Sequence, residues 1–374
     1  MLTTSGVPSS NGAHRSVSQW LIATATAVAT VGAAMSMTAC LASADPLHPV
    51  ASRRGDRSKW TPPFPAGAVA STRKLPIGTS RQSAPFEDAR AEFSVQVQEV
   101  ESSYRTTPVF VLPGQEIAIS ARAASAPVQA AAEAGQLRID GPGAWTWTAP
   151  DKPGTSACIR LTEQRHLDSI CVKAFVLQPY HGEDKVDGFH IGHYQRAPLK
   201  GDVAYTMPQG LVRVTADNIE EPVSPHFRLG QFLCKQEGGY PKFVVLKTAL
   251  LVKLEMLLDK LASDGVVADT LHVMSGYRTP AYNAAIGNET IYSRHSYGDA
   301  ADVYVDRDGD GIMDDIDGDG RSSTADARQL YGIVNDVLDA TASERLAGGL
   351  AVYAPNGEHG PFVHVDTRGH LARW

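Results

Sequence analysis

Three residues in the last third of the chain could hold a transition metal between them. His295 stands in "SRHSYGDAAD", Asp302 closes that stretch, and His364 lies in "FVHVD". Two imidazoles and one carboxylate, with a fourth position left for water, form the donor set of a catalytic zinc site. A chemically different segment, "DRDGDGIMDDIDGDGR", follows Asp302. Asp306, Asp308 and Asp310 occupy positions 1, 3 and 5 of a calcium-loop frame, with Gly311 at the turn and Asp314 and Asp317 at positions 9 and 12. A second frame starts at Asp315 and runs through Asp317, Asp319 and Gly320 to Asp326. All-oxygen donors suit Ca2+ rather than zinc. The bland alternative for this segment is a solvated acidic loop.

Strands and helices must bring these groups together. In "AADVYV" the period of two puts Ala300, Asp302 and Tyr304 on one face and Ala301, Val303 and Val305 on the other. In "FVHVD" the same period groups Phe362, His364 and Asp366 against Val363 and Val365. If the two strands are near neighbours, Asp302 and His364 share a polar face, and His295 comes from the loop that Gly298 allows to turn. "PKFVVLKTALLVKLEMLLDKLASDG" carries apolar residues at helical spacing and ends at Gly265. "TLHVMSG" reads as a strand, "TPAYNAAIG" as a short helix opened by Thr279 and Pro280, and "ADARQLYGIVNDVLDAT" as a longer helix.

"SRHSYGDAAD" matches the S-x-H-x-x-G-x-A-x-D signature of the zinc D-Ala-D-Ala carboxypeptidases and murein endopeptidases, whose fold is shared with the hedgehog signalling domain. "SGYRTPAYN" and "GPFVHVDTRGHLARW" also resemble that group, so the likeness covers residues 226–374. It implies an α+β zinc peptidase domain with His295, Asp302 and His364 as zinc ligands. It also implies that Arg278 holds a carboxylate or carbonyl of the substrate, with Tyr277 and Ser293 of the same motifs beside it. Many relatives place a histidine two residues before the last ligand or a glutamate three before it; here Phe362 and Pro361 stand there. His359 is the favoured proton shuttle, Glu358 is its neighbour on the same loop, and Asp366 either orients a ligand or assists. The acidic run 306–326 resembles dockerin and thrombospondin type 3 loops and reads as a structural calcium-binding insertion. The substrate implied is the peptide stem of peptidoglycan. A non-catalytic module carrying zinc and calcium, which binds peptidoglycan or a protein, is the second reading.

The rest of the chain fits an exported protein. Arg15 precedes the apolar stretch "WLIATATAVATVGAAMSM", so residues 1–44 read as a signal peptide or lipoprotein signal, with "ASA" at 42–44 or a lipidated Cys40 as rival processing points. A single membrane anchor is a further alternative. Location in the periplasm or cell envelope follows from export. Residues 45–88, rich in Pro, Ser, Arg and Gly, read as a flexible linker. From 89 to 180, short alternating runs separated by turn residues predict a small all-β sandwich of immunoglobulin-like type, a spacer or docking module. Cys158 and Cys171 flank a polar turn, where facing hairpin positions would suit a disulfide, and Cys234 is left as a buried free thiol. Residues 181–225 read as a connector, its His190 and His193 as strand or turn residues without a third ligand nearby. A chain of 374 residues with a net charge of −7 has room for two domains and argues against a nucleic-acid partner.

Overall fold

The computed structural model describes residues 89–288, 290–339 and 343–374. The signal, Cys40 and the linker at 45–88 lie outside the described residues. All described residues belong to one compact unit. None of their helices is long and apolar enough to cross a membrane.

Nine strands come first: β1 (Arg90–Val97), β2 (Val100–Tyr104), β3 (Thr106–Val111), β4 (Glu116–Arg122), β5 (Val128–Ala132), β6 (Gln136–Gly141), β7 (Ala144–Thr148), β8 (Ser156–Glu163) and β9 (Ser169–Val176). They form two sheets, ordered β2-β1-β4-β7-β6 and β3-β9-β8-β5. Alternation explains how the sheets meet. Val95, Val97, Ile117, Ile119, Trp145 and Trp147 of the first pack into one core with Val109, Val111, Ile159, Leu161, Val172 and Ala174 of the second. β3 runs parallel to β9, and every other pairing in these two sheets is antiparallel. Cys158 and Cys171 are bonded with Cα atoms 5.5 Å apart. They are diagonal rather than facing positions, because Cys158 lies opposite Lys173 and Cys171 opposite Arg160.

The segment expected as a connector is part of the second core instead. It holds β10 (Gln178–Pro179), β11 (Lys185–Val186), β12 (Phe189–His190) and β13 (Gly210–Val214). β13 lies between β10 and β14 (Lys242–Val244). Phe189, Ile191, Tyr194, Tyr205, Leu211 and Val223 are buried in the same cluster as the C-terminal helices and strands. Burying that much apolar surface fixes the segment against its neighbours. His190 and His193 lie within reach of Asp184 at the surface, and Cys234 is a buried free thiol.

The remaining elements are α1 (Thr248–Ser263), β15 (His272–Ser275), α2 (Pro280–Ala285), β16 (Ala300–Tyr304), α3 (Thr324–Asp339), β17 (Gly349–Tyr353), β18 (Phe362–Asp366) and β19 (Ala372–Arg373). The strands form one sheet ordered β15-β16-β18-β17-β19. Val303, Val363 and Val365 enter the core with Leu250, Leu254 and Leu258 of α1 and Leu330 and Val334 of α3. α1 also carries the sandwich: Thr248 Oγ1 donates to the Pro108 carbonyl at 3.0 Å, and Tyr104 donates its hydroxyl to Asp259 at 2.6 Å.

Candidate metal centre

β16 and β18 are antiparallel neighbours, and their register sets Asp302 directly opposite His364 and Ala300 opposite Asp366. A one-residue slip of either strand would turn its donor to the valine face, so the apolar core holds the site's register. His295 arrives on a single helical turn, Arg294–Tyr297, that ends at Gly298 with φ 73°. A Cβ at Gly298 would sit 2.4 Å from the Val245 carbonyl oxygen, so the close approach and the left-handed backbone both require glycine.

The three residues are 3–6% exposed. One donor atom from each lies within 4.8 Å of the others. Asp302 Oδ1 is 2.9 Å from His364 Nδ1 and 3.3 Å from His295 Nε2. Donors about 2.0–2.1 Å from a tetrahedral zinc are separated by about 3.3 Å, so this spacing suits zinc.

The outer hydrogen bonds set which nitrogens are available. His295 Nδ1 donates to the Gly276 carbonyl at 2.8 Å, leaving Nε2 with its lone pair toward Asp302. His364 Nε2 donates to Asp366 Oδ2 at 3.2 Å, leaving Nδ1 as the donor atom toward the cluster. Asp366 is fully buried and is itself fixed by Arg368 and by the Gly349 N–H at 2.7 Å. A carboxylate behind a metal-binding histidine is the usual means of holding its tautomer.

Electrostatics follow from burial. Burial raises the pKa of Asp302, but His295 and His364 outweigh it and hold the carboxyl well below the usual range. Burial likewise raises Asp366, and its bonds to His364 and Arg368 bring it well below that range. Burial pushes the His295 imidazole down, against the opposing charge of Asp302. For His364 burial also works downward, yet hydrogen bonds and charge from Asp302 and Asp366 carry it up to about 9.

Arg278 braces the cluster. Its Nε donates to Ser275 Oγ at 2.7 Å and its Nη2 to Asp302 Oδ2. Ser275 is the β15 residue opposite Asp302, so sheet pairing places this brace. Tyr277, expected beside the substrate, is a core residue instead. It is 1% exposed, and its hydroxyl is bonded to that of Tyr194 at 2.9 Å. Ser293 is buried just before the turn that carries His295.

Of the expected proton-transfer groups, His359 and Glu358 are not hydrogen-bonded to the cluster, whereas Asp366 is, through His364. Both ring nitrogens of His359 are engaged locally, Nδ1 with the Gly360 carbonyl and Nε2 with the Asn356 side chain. Its ring packs edge-on against Phe362, 4.9 Å away, which shares the strand face of His364. Glu358 is exposed on the same loop. Asp366 orients His364 and is tied up by Arg368.

Sequence reasoning missed several contributors. Trp374 lies 5.3 Å from the His364 ring and donates to the Tyr353 hydroxyl at 3.0 Å. Lys253, buried in α1, donates to the Asp366 carbonyl at 2.7 Å. A lysine inside "ALLVKLEMLL" was the available signal. Arg368 was also accessible, two residues beyond Asp366.

The acidic run divides into two groups. Donor oxygens of Asp306, Asp308 and Asp314 lie within 4.8 Å of one another, as do those of Asp315, Asp317 and Asp326. The two frames share Asp317 in sequence, and the fold gives it to the second group beside Asp315 and Asp326. Asp310 and Asp319 fall outside both groups, and their carboxylates accept the backbone N–H groups of Ile312 and Arg321.

Comparisons with protein-family models, curated proteins and solved structures returned no match for this chain.

Proposed function

We propose that this protein is an exported, zinc-dependent peptidase that hydrolyses amide bonds in peptidoglycan stem peptides, of the D,D-carboxypeptidase or endopeptidase type. The convergence of His295, Asp302 and His364 in a buried site, with Asp366 behind His364, carries this reading. The motif likeness to the zinc D-Ala-D-Ala carboxypeptidases and murein endopeptidases, and to the α+β fold they share with hedgehog domains, supplies the substrate class. An immunoglobulin-like spacer preceding that domain completes the proposed architecture.

The residues would divide the work as follows. His295, Asp302 and His364 would hold zinc, which supplies Lewis acidity toward water and an amide carbonyl. Asp366 and Gly276 keep the two imidazoles in the tautomers that face the ion. Arg278 fixes the second oxygen of Asp302 and leaves its remaining N–H groups for a substrate oxygen. His359, half-exposed beside Phe362, is the proton carrier best placed at the rim. The two aspartate groups of the acidic run would hold calcium and order the chain between β16 and α3.

The local engagement of both His359 nitrogens favours a second reading, a metal-bearing module that binds peptidoglycan or a protein without cleaving it. Digestion of purified sacculi, followed by mass spectrometry with and without chelator, separates the two. New muropeptides that disappear with chelator and in Asp302→Ala support the peptidase; identical profiles for wild type and variant overturn it.

A further inference from the structure

Beside the metal centre, the segment that carries Lys235 is fastened to the Arg278 motif at both ends. The Tyr277 N–H donates to the Phe232 carbonyl at 2.9 Å, and Thr279 Oγ1 donates to Gln236 Oε1 at 2.9 Å. A Cβ on Gly276 would meet the Phe232 backbone at 2.7 Å, so the two segments touch without an intervening side chain. Lys235 is thereby set alongside Gly276, Arg278 and Thr279.

Its side chain lines a cleft of about 550 Å³ together with Gln231, Thr270, His272 and Asp306. The charges facing that cleft are unequal. Asp306 is turned inward, 2% exposed at its side chain, where it accepts N–H groups of its own loop and pairs with His272. Lys235 is exposed and makes no ion pair or hydrogen bond among the described residues. Partial loss of solvation and then the Arg278 charge push its ammonium below the ordinary lysine range, with Asp302 opposing. Arg278 is different, because Asp302 and Ser275 already hold it.

We propose that Lys235 is a specificity-determining residue of this site, its ammonium taking a carboxylate of the bound peptide at the cleft lined by Gln231 and His272. The inference rests on the peptidase reading and deepens it. Arg278 fixes the metal ligand and keeps its remaining N–H groups for a substrate oxygen, while Lys235, without an ion pair among the described residues, takes the carboxylate. An ammonium suits this task as a mobile point charge on a flexible stem.

The test uses the zinc-loaded full chain and two peptides ending in D-Ala-D-Ala, one a free acid and the other its C-terminal amide. Binding is measured by titration calorimetry and hydrolysis by kcat/KM. The wild type is expected to prefer the free acid by about tenfold or more, the usual scale of a charge-assisted hydrogen bond. Lys235→Met should lose most of that preference, and Lys235→Arg should retain it. Equal losses on both peptides, an unchanged preference in Lys235→Met, no preference in the wild type, or no binding of either peptide each overturn the proposal. Free-acid preference in binding that depends on Lys235, without hydrolysis of either peptide or of sacculi, supports the Lys235 assignment and overturns the peptidase reading alone.

Discussion

The His-Asp-His cluster and the acidic run lie next to each other in the chain, yet they are built on opposite principles. The first draws its donors from a helical turn and two strands, buries all three, and ties each to a further partner. The second draws six carboxylates from one continuous segment, most of them at least partly exposed, and curls them with short-range bonds to its own backbone. Removing a buried charge's partner costs far more than removing one at the surface, because water cannot replace it. The first cluster is therefore sensitive to single changes in distant elements, whereas the second is sensitive chiefly to its own residues.

That contrast can be broken most directly at the ligands. Asp302→Ala and His364→Ala should each abolish zinc retention and hydrolysis while leaving the calcium response intact, read by metal analysis and muropeptide profiling. A variant that keeps zinc would show that the buried cluster is not the metal centre.

The next effect tests burial itself. Lys253 sits behind β18, and burial lowers its pKa from 10.5 to about 8, with the Asp366 charge opposing. Between those values the unfolded chain binds more protons than the folded one, so this residue's contribution to stability rises with pH across that window. Lys253→Met should flatten that rise, by an amount on the order of 3 kcal/mol at most. Denaturation at pH 7 and pH 10 measures it, and an unchanged slope would remove Lys253 from the account.

Asp366→Asn comes next. It keeps the shape but weakens the hold on His364, and zinc affinity or activity should fall about 10–100-fold. A larger loss with no bound metal would make Asp366 itself a ligand.

The smallest effects belong to the exposed loop. Added calcium should raise the melting temperature; saturation at 100 times Kd corresponds to about 2.7 kcal/mol. Asp308→Ala and Asp326→Ala should each reduce that rise and leave zinc content unchanged. Asp310→Ala should reduce it less, since Asp310 lies outside both groups. Equal losses at Asp308 and Asp310 would restore the linear frame in place of the observed grouping.

Much of the buried site was legible in the residues. The period of two in "AADVYV" and "FVHVD" placed Asp302 and His364 on matching faces, and their pairing in register is what that pattern demands. Two strands of the sandwich show the limit of such reading. β5 and β6 lie at sheet edges with few buried side chains, so "VQAAA" and "QLRIDG" carry no strong apolar alternation. The segment 181–225 was misread because its apolar residues are scattered among turns and converge only through contacts with α1 and its neighbours. Tyr277 was placed at the substrate by its motif, and only the packing of Tyr194 shows it turned into the core.

By itself, the sequence determined the donor chemistry: which residues are imidazoles or carboxylates, and which strand face each occupies. Those properties follow from residue type and local period, which need no distant partner. The tertiary structure decided which atoms meet, that Arg278 braces Asp302 while Lys235 makes no ion pair among the described residues, and that Asp315 and Asp317 join one group. These depend on contacts between segments far apart in the chain, whose distances are set by the packing of a shared core.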